Sequence, residues 1–444
     1  MKLGTVESRC DVAEDNLERF RLGEAGGFER RKILGHLLAG CERCRGAVRG
    51  RKMEIEAQAS QLSLTRILGE VSARAEQLAR ELGDAAELLT AFLPHPTARQ
   101  WTLLRNSSRH RSYGFARALL DAAFEALYDD PRRALELSRM SAEVADGLSE
   151  EPYSARLVLD LRAKARAHVG NALRACGDLD QADENLREAR RLAAAGSLDP
   201  ILDAELLYFE ASCLRARRRL GAALQKVRRS ARLMRQIGEE HLEGRSLLNE
   251  WQILTLEGRS RDAHGAIERA LRLIDADKDP RLALAALHNR AWQTLEEGRP
   301  AEALAQLEAY RRRFETLGDR GSLSRLDWLQ ARIEADLERT DRAAALYERA
   351  MAGFVELELP YEVANLALDL ALLHLDDHRF AEVASIASET LAIFQSLGVA
   401  RETVAAWIIF REAALAEQVT KAFLARLASY LQAARSEPEL RFEA

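Results

Sequence analysis

Two helix-forming stretches separated by a short polar break make up AKARAHVGNALRACGDLDQADENLREA at 163–189, and the same arrangement returns through the rest of the chain. One small apolar position keeps the register: Ala182, Ala223, Ala263, Ala303, Ala343 and then Val383, at spacings of 41, 40, 40, 40 and 40. The breaks CGDLD, EGRSR, EGRPA and DDHRF fall at matching places. Self-similarity at this period predicts a stacked repeat in which each unit is a helix hairpin packed on its neighbours. Gly177, Gly258 and Gly298 lie five residues before the small position, where a helix C-terminus calls for left-handed backbone. Ala182 and its equivalents, with Ala189 and Ala270 seven residues later, let two helices approach closely. Six regular units run from about 163 to 400, preceded by a less regular hairpin at 114–148 and followed by a capping pair at 402–436. Upstream, the charged, alanine-rich, proline-free stretch 52–92 reads as linker helix, Pro94 and Pro96 punctuate, and 97–112 resumes a capping helix.

Composition agrees with an all-α protein. Leu, Ala, Arg and Glu dominate, and aromatics are only 6%, a mixture that favours helix over strand. The 65 basic and 70 acidic side chains nearly cancel, so any binding to nucleic acid or membrane has to be local. No signal peptide opens the chain and no apolar run approaches the 18 or more residues of a membrane span, which predicts a cytoplasmic protein. In that reducing setting Cys10, Cys41, Cys44, Cys176 and Cys213 are not expected to form structural disulfides, and a CxxC points to metal or redox chemistry.

Gly170, Asn171, Ala172, Gly177, Asp178, Ala182 and Ala189 fall at consensus positions of the tetratricopeptide repeat, with Leu173 where that family often has tyrosine. The resemblance is to the longer-period repeats of bacterial regulators. It implies a right-handed superhelical solenoid whose concave groove binds a protein or peptide partner. Family positions facing that groove carry over to Lys164, Asn171, Arg174, Tyr208, Ser212, Arg215, Arg245, Gln252, His288, Trp292, Arg325, Trp328, Arg332 and Asn365. Arginine and aromatic residues are enriched at binding hot spots, which suits a partner surface. The alternative for Trp292 and Trp328 is that they fill space between adjacent helices.

The N-terminal segment holds a second signal. In GHLLAGCERCRGAV, Cys41 and Cys44 form a chelating pair, His36 precedes them by about one helical turn, and Cys10 lies further back with 25 residues between it and His36. Three thiolates and an imidazole are the donors of a closed tetrahedral zinc site. Over residues 8–50 the pattern is similar to the zinc-binding anti-sigma fold, which implies Cys10, His36, Cys41 and Cys44 as ligands and a sigma factor as a candidate partner. One departure stands: four residues separate His36 from Cys41 where that family usually has three, which bears on the aim of the imidazole. The zinc reads as structural, since a domain of this size lacks core of its own, or as redox-regulatory, since thiolate oxidation would release the metal and unfold the domain.

The segment 213–236 carries nine Lys or Arg and no acid. It is either a solvated face compensated by neighbouring repeats or, over 215–235, a patch for a nucleic acid. His110, among arginines and without an organising carboxylate, reads as a surface residue. No phosphate-binding glycine loop, HExxH, nucleophile elbow or kinase signature occurs. The expected organisation is a zinc-binding helical domain at 1–50, helical linker and cap at 51–112, a tetratricopeptide-like solenoid at 113–401, and capping helices with a tail at 402–444. The expected function is that of a non-enzymatic regulator or scaffold, with nucleic acid association as the alternative.

Overall fold

A computed structural model describes residues 10–22, 25–38, 41–46, 64–127, 130–151, 153–317, 320–435, 437 and 439–443. Among them every regular element is a helix. The linker reading for 52–63 lies outside the described residues. Contacts divide the chain into two units, Met1–Gly83 and Asp84–Ala444.

The first unit contains α1 (Glu14–Leu22), α2 (Gly27–Leu38) and one helical turn at 42–46. Glu29, in the first turn of α2, accepts from the Gly26 N–H at 2.9 Å and pairs with Arg19 at 3.3 Å, so it satisfies a donor at the helix start and ties the helices together. The apolar content is small: Val12, Leu17, Ile33 and Cys44 are the buried centre. So small a core leaves stability to be supplied from elsewhere.

After α3 (Leu64–Phe92), α4 (Thr97–Asn106) and a 3-10 turn at Ser108–His110, the second unit is built of antiparallel pairs. They are α5 (Tyr113–Ala126) with α6 (Pro131–Asp146), α7 (Ala155–Ala175) with α8 (Leu179–Ala195), and α9 (Pro200–Ala216) with α10 (Leu220–Ile237). Then come α11 (Glu240–Leu256) with α12 (Ser260–Leu273), α13 (Pro280–Glu296) with α14 (Pro300–Leu317), and α15 (Arg320–Asp336) with α16 (Thr340–Glu356). The series closes with α17 (Pro360–Asp376) and α18 (Phe380–Ser396), then α19 (Arg401–Leu415) and α20 (Lys421–Ala434). Proline opens α6, α9, α13 and α17, where a missing N–H costs nothing. Asp130, Asp178 and Asp279 cap the N–H groups of Arg133, Gln181 and Leu282. His110 departs from the surface reading: its ring lies against Phe92 and Phe115 at 5.5 and 4.9 Å, in the gap between α3 and α5.

The turn inside each hairpin is a repeated Schellman closure. The N–H groups of Asp178, Arg219, Arg259, Arg299, Arg339 and Arg379 return to the carbonyls of Leu173, Leu214, Leu254, Thr294, Glu334 and His374, at 2.8–3.2 Å. That geometry forces positive φ on the preceding residue. Gly177, Gly258 and Gly298 take it, as their spacing predicts, but so do Arg218, Glu338 and His378. Three turns therefore hold a strained non-glycine residue, at about 1 kcal/mol each, because packing of the paired helices outweighs the local preference. The small position is the reason: Ala182, Ala223, Ala263, Ala303, Ala343 and Val383 are fully buried. In the first regular pair, a Cβ on Gly170 would meet the Ala182 carbonyl and the Leu186 side chain at 3.0 Å.

Neighbouring hairpins meet through residues about one period apart. Asn249 donates to Ser212 at 3.0 Å and Trp251 donates to Gln293 at 3.0 Å, while Ser197, in the link from α8 to α9, donates its backbone N–H back to Asp160 of α7 at 3.0 Å. The last helix also touches earlier repeats. Tyr361 donates to the Ala434 carbonyl at 3.5 Å, Arg435 pairs with Glu362 at 3.3 Å, and Arg218 donates to Gln432. Across the same interior Arg281 of α13 pairs with Glu125 of α5 at 3.5 Å. The inner helices of the solenoid thus surround an enclosed concavity.

Candidate functional site

In the first unit the last turn of α2 carries His36, and the chain then reverses so that the Cys41 N–H donates to the His36 carbonyl at 2.9 Å. This closure absorbs the extra residue between His36 and Cys41. The imidazole keeps its aim: Nδ1 lies 3.6 Å from Cys10 Sγ, which in turn lies 3.6 Å from Cys44 Sγ. The donor atoms of Cys10, His36, Cys41 and Cys44 all fall within 4.8 Å of one another. A tetrahedron with metal–sulfur bonds of about 2.3 Å has sulfur–sulfur edges of about 3.8 Å, so the donor set and its spacing fit a metal ion.

Asp11 completes the arrangement and was not singled out from sequence. Its carboxylate lies 3.1 Å from His36 Nε2 and 2.6 Å from Lys32 Nζ. A carboxylate on the far ring nitrogen fixes tautomer and orientation, leaving Nδ1 as the donor atom. The signal was present in its place directly after Cys10. The three thiols are not equivalent. The Cys44 N–H and the His36 ring hold the Cys41 thiol down to about 6, whereas burial and the neighbouring Cys10 push the Cys44 thiol up to about 12. A divalent cation removes that conflict, since metal binding requires the thiolates and releases their protons.

In the second unit the concavity encloses a cavity of about 410 Å³. Eight of the fourteen sequence-selected positions line it: Asn171, Arg174, Tyr208, Ser212, Arg215, Gln252, His288 and Arg325. They come from α7, α9, α11, α13 and α15, one inner helix per repeat. Arg174 donates to Asn171 Oδ1 at 3.0 Å. Burial lowers the proton affinity of Arg174 and Arg215, and Arg174 adds to the effect on Arg215, which is held at about 10. Burial and Arg325 bring His288 down to about 4, so its imidazole is neutral.

The other six positions are placed differently. Lys164 is committed to Glu205 of the next inner helix at 3.0 Å, beside His168 at 3.3 Å. Arg245 lies over the rings of Tyr208 and Phe124 at 4.9 and 5.3 Å. Trp292 and Trp328 meet edge to face at 5.8 Å, Arg332 stacks on Trp292 at 4.6 Å, and Trp328 donates to Asp369 at 2.7 Å. These contacts fill the space between inner helices. Asn365 is half-buried on α17. Phe124, Arg281, Asn289 and Phe314 also line the cavity. Counting repeats missed them because Phe124 belongs to the irregular hairpin and Phe314 to an outer helix.

The basic segment is largely compensated. Arg217, Lys226, Arg228 and Arg235 pair with Asp180, Glu210, Glu250 and Glu243 at 2.5–2.8 Å, and Arg229 approaches Asp203 at 3.9 Å. Arg215 faces the cavity instead. Among the described residues, no helix is long and apolar enough to cross a membrane.

No family model matches this chain, and no curated protein matches it. Solved structures do. A Rap protein complexed with Competence and Sporulation Factor aligns at a TM-score of 0.54 and 11% identity, over 72% of this chain and 87% of that one. A signal transduction ATPase (STAND) protein with a tetratricopeptide repeat sensor, from Pyrococcus horikoshii, aligns at 0.50 and 14% identity, over 78% of this chain and 52% of that one. This chain spans about half of that longer protein. At such identities the likeness is one of fold, and the fold is an all-helical solenoid of tetratricopeptide-like hairpins.

Proposed function

We propose that this protein is a non-enzymatic, cytoplasmic regulator whose solenoid interior binds a peptide or an extended protein segment, and whose N-terminal cysteines and histidine hold one structural zinc ion. The observation that carries the reading is the convergence of amide, guanidinium and aromatic side chains from five successive inner helices on one cavity of about 410 Å³. That size falls in the range of ligand pockets, and a few convergent polar groups among apolar walls are how such pockets orient a ligand. The solved Rap neighbour, complexed with Competence and Sporulation Factor, gives a fold-level precedent for a regulatory ligand. Selection of displayed random decapeptides on the full-length protein tests it. Enriched peptides should lose binding to a Tyr208→Ala, Gln252→Ala variant and keep it with Arg228→Gln on the outer face; no enrichment, or equal loss in both variants, refutes groove binding.

Zinc is favoured over harder metals by three thiolate donors. Elemental analysis should find one zinc per chain and none in a Cys41→Ser, Cys44→Ser variant. Capture of a sigma factor by this unit is the partner implied by its resemblance to the anti-sigma fold. Copurification of a sigma factor with the wild type that survives in that variant would remove the metal-dependent form of this reading.

A further inference from the structure

The cavity differs from the rest of the molecule in how it treats charge. On the outer faces many guanidinium groups are matched by carboxylates and the rest stand in solvent: Arg349 holds Asp327 with two bonds of 2.6 Å, and Arg228 holds Glu250 at 2.8 Å, while Arg232 and Arg272 are exposed. Inside, Arg174, Arg215, Arg281 and Arg325 line the wall, and among the described residues no aspartate or glutamate does. Arg281 is answered by Glu125. Arg174, Arg215 and Arg325 take part in no ion pair among the described residues, and Arg215 Nε is enclosed without a hydrogen-bond partner. Among the described residues these three stand unanswered by any carboxylate, in a cavity walled by Phe124, Tyr208 and Phe314.

Gathering like charges in a partly buried cavity opposes folding, and it persists where it serves a ligand. Low-dielectric walls concentrate the field of the guanidinium groups on the interior. The planar fork of each is matched to carboxylate, with two parallel hydrogen bonds. Asn171 already turns Arg174 into place, while Gln252 and Asn289 offer amides suited to a peptide backbone.

From this we infer that the ligand of the groove is an acidic peptide whose carboxylates are bound by Arg174, Arg215 and Arg325. The inference rests on the peptide-binding reading above and adds its charge. The carboxylates come from Asp and Glu side chains or from the peptide's own C-terminus. A cavity of about 410 Å³ favours a short peptide over a nucleic acid, whose backbone is held along an extended basic groove.

Two randomised hexapeptide mixtures, one with free C-termini and one amidated, are passed over the full-length protein, and the retained peptides are sequenced. Several-fold enrichment of Asp and Glu in both mixtures, abolished by Arg215→Gln with Arg325→Gln, supports side-chain carboxylates. Retention confined to the free-acid mixture and abolished by the same variant supports the C-terminal carboxylate. Retained peptides with neither preference overturn the inference and leave peptide binding standing; no retained peptide overturns both. Binding of hexathymidylate in place of peptides assigns the cations to phosphate and overturns it as well. Because the substitutions remove repulsion, the unliganded double variant should melt at or above wild type; a lower melting temperature marks the arginines as structural and counts against a ligand role.

Discussion

Glu205 joins two repeats, and its loss should be felt as a coupling between them. On α9, it accepts from Lys164 Nζ at 3.0 Å and lies 3.3 Å from His168 Nε2, both on α7, with its side chain only 10% exposed. Burial alone would raise its carboxyl, but Lys164 and His168 hold it well below the usual carboxylate range. Glu205→Gln removes the charge and strands Lys164, whose side chain is 20% exposed. Removing one partner of a buried pair costs roughly 3–5 kcal/mol; partial rehydration of Lys164 reduces this to about 2–3 kcal/mol. Lys164→Met alone should cost somewhat less, because His168 still donates to the carboxylate. The double variant should be less destabilised than the two single losses added, with a coupling of about 1.5 kcal/mol or more.

Urea unfolding of the three variants and the wild type, followed by circular dichroism and by amide exchange in α7 and α9, measures the coupling. The acid limb supplies a second readout. Glu205 has a lowered folded pKa, so its contribution is complete above the ordinary carboxylate value of 4.5 and is lost as pH falls through the folded one. His168 is pushed down by burial, so its penalty grows as pH falls below its ordinary 6.5. Glu205→Gln should therefore enlarge the slope that starts below 6.5, because Glu205 also supports the His168 imidazolium, and lose the additional one below 4.5. A coupling under about 0.5 kcal/mol, or an unchanged acid limb, refutes the assignment of this pair as a stabilising link.

Three further substitutions probe the hairpins. Gly258 has φ +71° with nothing within 4 Å of an added Cβ, so Gly258→Ala isolates backbone strain and should cost about 1 kcal/mol, whereas Glu338→Gly, relieving φ +59° at the expense of chain entropy, should leave stability within about 0.5 kcal/mol in the same urea assay. A Cβ on Gly353 of α16 would lie 2.0 Å from Ser324 Oγ of α15; Gly353→Ala should lower stability by about 1–3 kcal/mol, and adding Ser324→Ala should recover about half by removing that oxygen, an outcome read by a thermal-melt double-variant cycle.

The 40-residue recurrence, the polar breaks and the small position at Ala182 and its equivalents were enough to read helix hairpins stacked in a row, because those features act between residues close in sequence or one period apart. Spacing likewise singled out Cys10, His36, Cys41 and Cys44, whose donor atoms the structure gathers within 4.8 Å of one another; the chelating pair and His36 are local in sequence, whereas Cys10 is brought in from a distance. The partners of individual side chains were another matter. Lys164 looks free in its own repeat, yet its carboxylate stands 41 residues on, in the next. Arg218, Glu338 and His378 carry no turn signature, yet the closure of their hairpins imposes positive φ on them. Asp11 gains its place beside His36 only when α2 folds back on the N-terminal segment. The groove depends on the small rotation between successive hairpins, summed over the array until Arg281 reaches Glu125 and Arg218 reaches Gln432. That sum is carried by packing angles rather than by any one residue, and it is why three arginines spread over 152 positions of sequence face a single enclosed space.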